Sequence, residues 1–154
     1  FLMTKYEFVK RFFPEAEAAE KQFHINPVVM LAQAAIESGW GESDLSKRHR
    51  NLFGITGYGP ANDFWHGCGV ALVPGGLSFR KYADTQSRFF DYARLIVTAY
   101  PAAAAVSYYP SAFAREIAYS KYISEVNGDN RAVYCRLLDS LSAAIGKLLT
   151  TPVC

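Results

Sequence analysis

The segment Val28-Val29-Met30-Leu31-Ala32-Gln33-Ala34-Ala35-Ile36 has a single polar residue, Gln33. A helix there has no solvent-facing stripe and must lie in the middle of the domain. Both of its ends are marked. Asn26-Pro27 reads as the N-cap and first helical residue, and Gly39 reads as the left-handed stop, which puts Glu37 in the last turn. The helix dipole opposes a negative charge at that end, and desolvation by Trp40 and the core acts in the same direction. Both effects move a carboxyl pKa up toward the range of a general acid. Glu37 is therefore the candidate proton donor; the alternative is an ordinary helix-end glutamate pointing into water. Gly39 and Gly41 would let a substrate approach the backbone, Trp40 would offer it an aromatic wall, and Ser38 stands between as a further contact.

Around this helix the remaining elements fall into order. Thr4 with Glu7 makes a capping box, and Phe8, Phe12, Ala16, Ala19 and Phe23 recur at helical spacing, with Pro14 expected to kink or split that helix. Asp44 to His49 can form a short helical turn, and Lys47, Arg48, His49 and Arg50 form a basic cluster that is either solvated or in contact with anionic groups of a ligand. From Asn51 to Tyr82 glycines and aromatics are dense, and "GVALVPGGLSFRKY" alternates around Pro74-Gly75-Gly76, a hairpin signal. Asp84 reads as an N-cap for a helix carrying Phe89, Phe90, Ala93, Ile96, Val97 and Tyr100, stopped by Pro101 and expected to pack on the Glu37 helix. Pro110 to Ala118 is another short helix, and Asp129 can cap a last one whose face, Val133, Leu137, Leu138, Leu141, Ala144, Ile145 and Leu148, reads as core.

The run "LAQAAIESGWGES", then "NLFGITG" at 51–57, then "SFRKYADTQSRFFDYARLI" at 78–96, resembles the flagellar-type β-N-acetylglucosaminidases that cut bacterial peptidoglycan, glycoside hydrolase family 73. The opening "YEFVKRFFPEAEAAEKQFHINPVVMLAQ" is similar as well, so the resemblance spans nearly the whole chain. It implies a mainly α (α+β) fold, a lysozyme-like helical domain with a small β-hairpin lobe, and a catalytic acid at Glu37. It also implies that Asn51, Phe53, Gly54 and Trp65 lie near the cleft. For Phe53 a core position and for Trp65 a half-buried hairpin position are the competing readings. The segment "YSKYISEVNGDNRAVY" is similar to the family loop in which a tyrosine faces the acid; that residue is Tyr122, with Tyr119 as its neighbour. Family members usually continue with Asp-Pro where this chain has Ser124-Glu125-Val126.

A second departure concerns the hairpin, where many members carry a glutamate that activates water. Here "HGCGVALVPGGLSF" contains no acid. An inverting glycosidase needs a base about 6.5 to 9.5 Å from the acid. Asp63 is the nearest loop carboxylate in sequence, and a closing lid carrying Asp63 or Glu125 is a variant of the same idea. The other route needs no protein base: the 2-acetamido oxygen of N-acetylglucosamine attacks its own anomeric carbon, with Tyr122 orienting the amide.

The expected function is an endo-β-N-acetylglucosaminidase cleaving GlcNAc-β-1,4-MurNAc bonds. The alternatives are a muramidase or lytic transglycosylase, or a non-catalytic wall-binding module. The chain of 154 residues, 51% hydrophobic and 19% charged, suits one domain spanning 1–154, a monomer acting on peptidoglycan glycan strands. A formal charge of +2 gives no argument for nucleic acid, and no apolar run reaches the length of a membrane span. No cofactor or metal is expected, since Cys68, Cys135 and Cys154 show no zinc spacing; they allow at most one disulfide, or three free thiols. A periplasmic, cell-surface or extracellular location is expected. No signal peptide is visible at Phe1-Leu2-Met3, so an exported protein would have lost its leader.

Overall fold

The computed structural model describes residues 2–124 and 128–150, the side chains of 128 and 129 excepted. In chain order the described elements are α1 (Lys5–Phe23), α2 (Pro27–Ser38), α3 (Asp44–His49), β1 (Gly69–Ala71), β2 (Ser78–Arg80), α4 (Ser87–Ala99), α5 (Pro101–Ala105), α6 (Pro110–Ala118) and α7 (Gly128–Thr150). The strands pair antiparallel, Val70 opposite Phe79, and form the two-stranded lobe of an otherwise helical fold.

The ends of α2 are built as their residues dictate. The Asn26 side chain accepts from the Val28 N–H, Pro27 fills the first turn, and Gly39 closes the helix at φ 57°. The Asn26 side-chain amide also donates to the Ser107 carbonyl and its backbone N–H donates to Ser107 Oγ, both at 3.0 Å, so the cap is anchored to the chain beyond α5. From Val29 to Ala35 every α2 side chain is buried. The helix is flanked mainly by α1 and α7. Truncating a fully buried residue such as Leu31 to alanine would cost about 2–5 kcal/mol.

Several expectations meet the structure differently. α1 runs unbroken through Pro14, on an exposed position of the helix. α4 starts only at Ser87, because the Asp84 carboxylate accepts from the Gln86 and Ser87 N–H groups and caps the turn leading into it. That helix packs chiefly on α1 and reaches α2 through Tyr92. Pro101 ends α4 and also begins α5, since a proline is accommodated in a first helical turn. Val133 and Leu137 of α7 are not core: they are 54% and 42% exposed. Asp129 as a cap, Glu125 and Cys154 lie outside the described residues. Cys68 is exposed, Cys135 is half-buried, and both are free thiols. Among the described residues no helix is long and apolar enough to cross a membrane.

Candidate active site

Glu37 sits half-buried in the last turn of α2 and lines two adjoining depressions. One, of ≈ 490 Å³, is walled by Tyr134, Val133 and Leu137 of α7 and by Ile123. The other, of ≈ 500 Å³, is walled by the 53–58 loop, by Leu77 and Phe79 of the hairpin lobe, and by Tyr100 and Lys121. Glu37, Tyr122 and Ser124 belong to both. The carboxyl therefore stands at the junction of the two arms of one groove, where a polymer lying along it would present an internal bond.

Gly54 brings the backbone of the "NLFGITG" loop to the acid. A Cβ on it would be 3.7 Å from Glu37 Oε2, and its φ of +65° is one that side-chain-bearing residues rarely adopt. Asn51 sets this loop. Its side chain donates to the carbonyls of Ile55 and Arg80 and accepts from the N–H groups of Phe53 and Ile55. The Arg80 N–H donates to Ile55 O, and Thr56 bridges to Phe79, so the loop runs as an extra edge on β2. Expected beside a substrate, Asn51 is instead buried with its amide fully committed, which positions Gly54.

A hydrogen-bonded chain leads from the core to the acid. Tyr92 Oη donates to Gln33 Oε1, Gln33 Nε2 donates to Tyr134 Oη at 3.2 Å, and Tyr134 Oη donates to Glu37 Oε1 at 3.3 Å. Burial raises the Glu37 pKa above the ordinary value of 4.5, opposed only by the Tyr134 hydrogen bond. Tyr122 faces the same space: its hydroxyl is buried with no partner, its ring meets Tyr100 edge-on at 5.6 Å, and burial and the Glu37 charge hold its phenol far above the usual pKa.

The other residues expected at the substrate lie elsewhere. Ser38 is consumed by the helix end, donating to Ala34 O at 2.6 Å and accepting from the Gly41 N–H at 2.8 Å. Trp40 packs edge-on against Phe8 with the Lys5 ammonium over its ring, on the α1 side, and Gly41 faces Met3 and Phe8 there. Gly39, Trp40 and Gly41 all have positive φ, so the chain turns sharply away from the groove after Glu37. Phe53 touches the groove but its ring is buried and stacked on Tyr92 at 4.0 Å. Trp65 is 2% exposed, with the Arg80 guanidinium 4.0 Å from its ring and Nε1 donating to Cys68 O. Tyr119 is exposed and lines neither arm. Asp63 is exposed in the loop before Phe64, whose ring stacks on Phe90 beside Phe23; it too lines neither arm.

Reading the sequence missed Tyr134, Tyr58, Tyr100, Val133 and Leu137 as groove residues. Gln33 was the available signal for Tyr134, because a buried amide inside an apolar helix needs partners.

A family model described as "Glucosaminidase: Mannosyl-glycoprotein endo-beta-N-acetylglucosaminidase" matches residues 13–144. A relative named peptidoglycan hydrolase FlgJ, from Vibrio parahaemolyticus, is 33% identical over 102 residues, covering 58% of this chain and 32% of its own length. The chain thus spans only about a third of that relative. Among solved structures, a peptidoglycan hydrolase mutant from Sphingomonas sp. A1 superposes with a TM-score of 0.67 at 27% identity, over 94% of this chain and 97% of that one. A type VI secretion system effector-immunity complex from Pseudomonas protegens matches with a TM-score of 0.73 over 95% of this chain and 94% of that one; at 20% identity it shows the fold alone.

Proposed function

The chain belongs to the glucosaminidase family, glycoside hydrolase family 73, and on that premise we propose that it is a peptidoglycan hydrolase, an endo-β-N-acetylglucosaminidase with Glu37 as general acid. The observation that carries this reading is the place of Glu37: a carboxyl raised by burial, at the junction of a two-armed groove. Residues 1–154 would act as one catalytic domain on glycan strands of the wall, outside the cytoplasmic membrane. In the reaction, protonated Glu37 gives its proton to the glycosidic oxygen as the C1–O bond of N-acetylglucosamine breaks, which makes the departing MurNAc O4 a hydroxyl.

For the attacking group, the groove favours the substrate's own acetamide. Its carbonyl oxygen bonds to C1 and forms a cyclic oxazolinium, which water then opens, returning a proton to Glu37. Tyr122 is the group suited to hold that amide, since its hydroxyl is buried, unpartnered and shared by both arms. Among the described residues lining either arm, Glu37 is the one carboxylate.

Mass spectrometry of digested, purified peptidoglycan tests the reading. Fragments ending in reducing N-acetylglucosamine are expected; reducing MurNAc or 1,6-anhydro ends would assign a muramidase or transglycosylase instead. Substitutions separate the two attack mechanisms. Acetamide attack predicts a severe Tyr122→Phe, a mild Asp63→Asn and inhibition by a GlcNAc thiazoline. A severe Asp63→Asn rescued by azide, with no thiazoline inhibition, would restore a two-carboxylate inverting enzyme.

A further inference from the structure

On the α1 side, sharing no lining residue with either arm of the groove, lies a cleft of ≈ 480 Å³ between the start of α1, the 41–52 segment and the start of α4. It gathers Arg11, Lys47, Arg48, Arg50 and Arg88. Two of these cations are already neutralised. Lys47 pairs with Glu42 at 2.7 Å, and Arg88, buried at the floor, makes a two-pronged ion pair with Glu15 at 2.8 Å. Glu7 is the remaining carboxylate, and it is engaged in the α1 capping box through the Thr4 N–H.

Arg11, Arg48 and Arg50 are left without a carboxylate partner. Arg11 rests on the Phe12 ring, 5.4 Å from its centre, the ring that Arg88 approaches at 5.0 Å. Arg50 spends one Nη1 hydrogen bond on the Tyr82 carbonyl at 3.3 Å, and Arg48, exposed, has no partner among the described residues. Three guanidinium groups opening on one cleft, with the local acids committed elsewhere, form a receptor for an anion of more than one charge. Planar N–H forks match phosphate oxygens in pairs, and a phosphate offers three or more such oxygens where a carboxylate offers two.

We propose that this cleft binds a phosphate group, free or carried on a phosphodiester polymer, separately from glycan in the groove. Titration calorimetry of the intact protein at low salt, with pyrophosphate and with a poly(glycerol phosphate) chain as probes, tests this. Saturable binding of at least one probe is expected, weakened about tenfold by Arg48→Gln and by Arg11→Gln, the loss of roughly one charge-assisted hydrogen bond, and weakened further by added salt. Tighter binding of the chain than of pyrophosphate would assign the polymer as source, and the reverse would assign the free ion. Hydrolysis of phosphate-free wall fragments should be unchanged in both arginine variants, and Glu37→Gln should bind the probes like the parent, so the fate of this site is separable from that of the groove. No saturable binding, binding indifferent to both substitutions, or equal binding of citrate at matched charge would overturn it.

Discussion

Two partly or fully buried carboxylates, Glu37 at the end of α2 and Asp91 in α4, are treated in opposite ways by the same fold. Asp91 is fully buried, and burial alone would raise its pKa. Yet Tyr82 donates to it at 2.6 Å, Arg80 at 2.9 Å, Arg94 at 2.9 Å and Asn62 at 3.0 Å, and together they hold it below the ordinary aspartate value. Glu37 has one hydrogen bond, from Tyr134 at 3.3 Å, and burial wins. The difference lies in partners rather than in depth: a saturated carboxylate holds the lobe to α4, whereas an under-coordinated one keeps its proton available.

The largest effect expected from this contrast is on turnover. Glu37→Gln should lower hydrolysis of peptidoglycan by about 10² to 10⁴ with the circular dichroism of the parent, because the amide cannot supply the proton. Activity within a few-fold of the parent would make Glu37 a bystander. The same substitution should raise the melting temperature at neutral pH. A carboxyl with a raised folded-state pKa contributes its stability below 4.5 and loses it as pH rises through the folded value, so the ionised, poorly solvated form is a burden at pH 7.

Asp91→Ala should act the other way, leaving activity per folded molecule alone and costing about 3–5 kcal/mol in denaturant unfolding, because Arg80, 6% exposed, is left with an uncompensated charge. In the parent the Asp91 contribution is present above the ordinary value of 3.8 and disappears as pH falls through the lower folded value. An Asp91→Ala variant as stable as the parent would remove the structural half of the contrast.

The smallest effect should come from Tyr134→Phe. Its hydrogen bond lowers the Glu37 pKa, so its removal should move the alkaline limb of the pH–activity profile upward by less than about one unit, a typical hydrogen bond being worth roughly 1 kcal/mol and a pKa unit 1.36. A downward shift would show that Tyr134 does not donate to the acid.

How far these sites were legible in the sequence follows the range of the interactions. Asn26, Pro27 and Gly39 bracket α2 through contacts a few residues long, and Thr4 with Glu7 does the same for α1, so both helices and the position of Glu37 could be read directly. The hairpin was legible for the same reason. The destinations of Asn51, Trp65 and Ser38 were not, because residue types suited to binding a sugar are equally suited to bonding a neighbouring backbone, and only the folded partners decide. Tyr134 reaches Glu37 across 97 residues, a separation that no local pattern encodes. Tyr122 was reached through family resemblance, and nothing local to Asp91 marks it as the anchor of the lobe, since Asn62, Arg80 and Tyr82 reach it from outside its own helix.

The central claim is that desolvation raises the Glu37 pKa while its partners lower that of Asp91, and side-chain carboxyl ¹³C NMR titration measures both in one sample, with Glu37→Gln and Asp91→Asn assigning the signals. The account predicts that Glu37 titrates above 4.5 and Asp91 below 3.8. A Glu37 signal that titrates at or below 4.5 would contradict it.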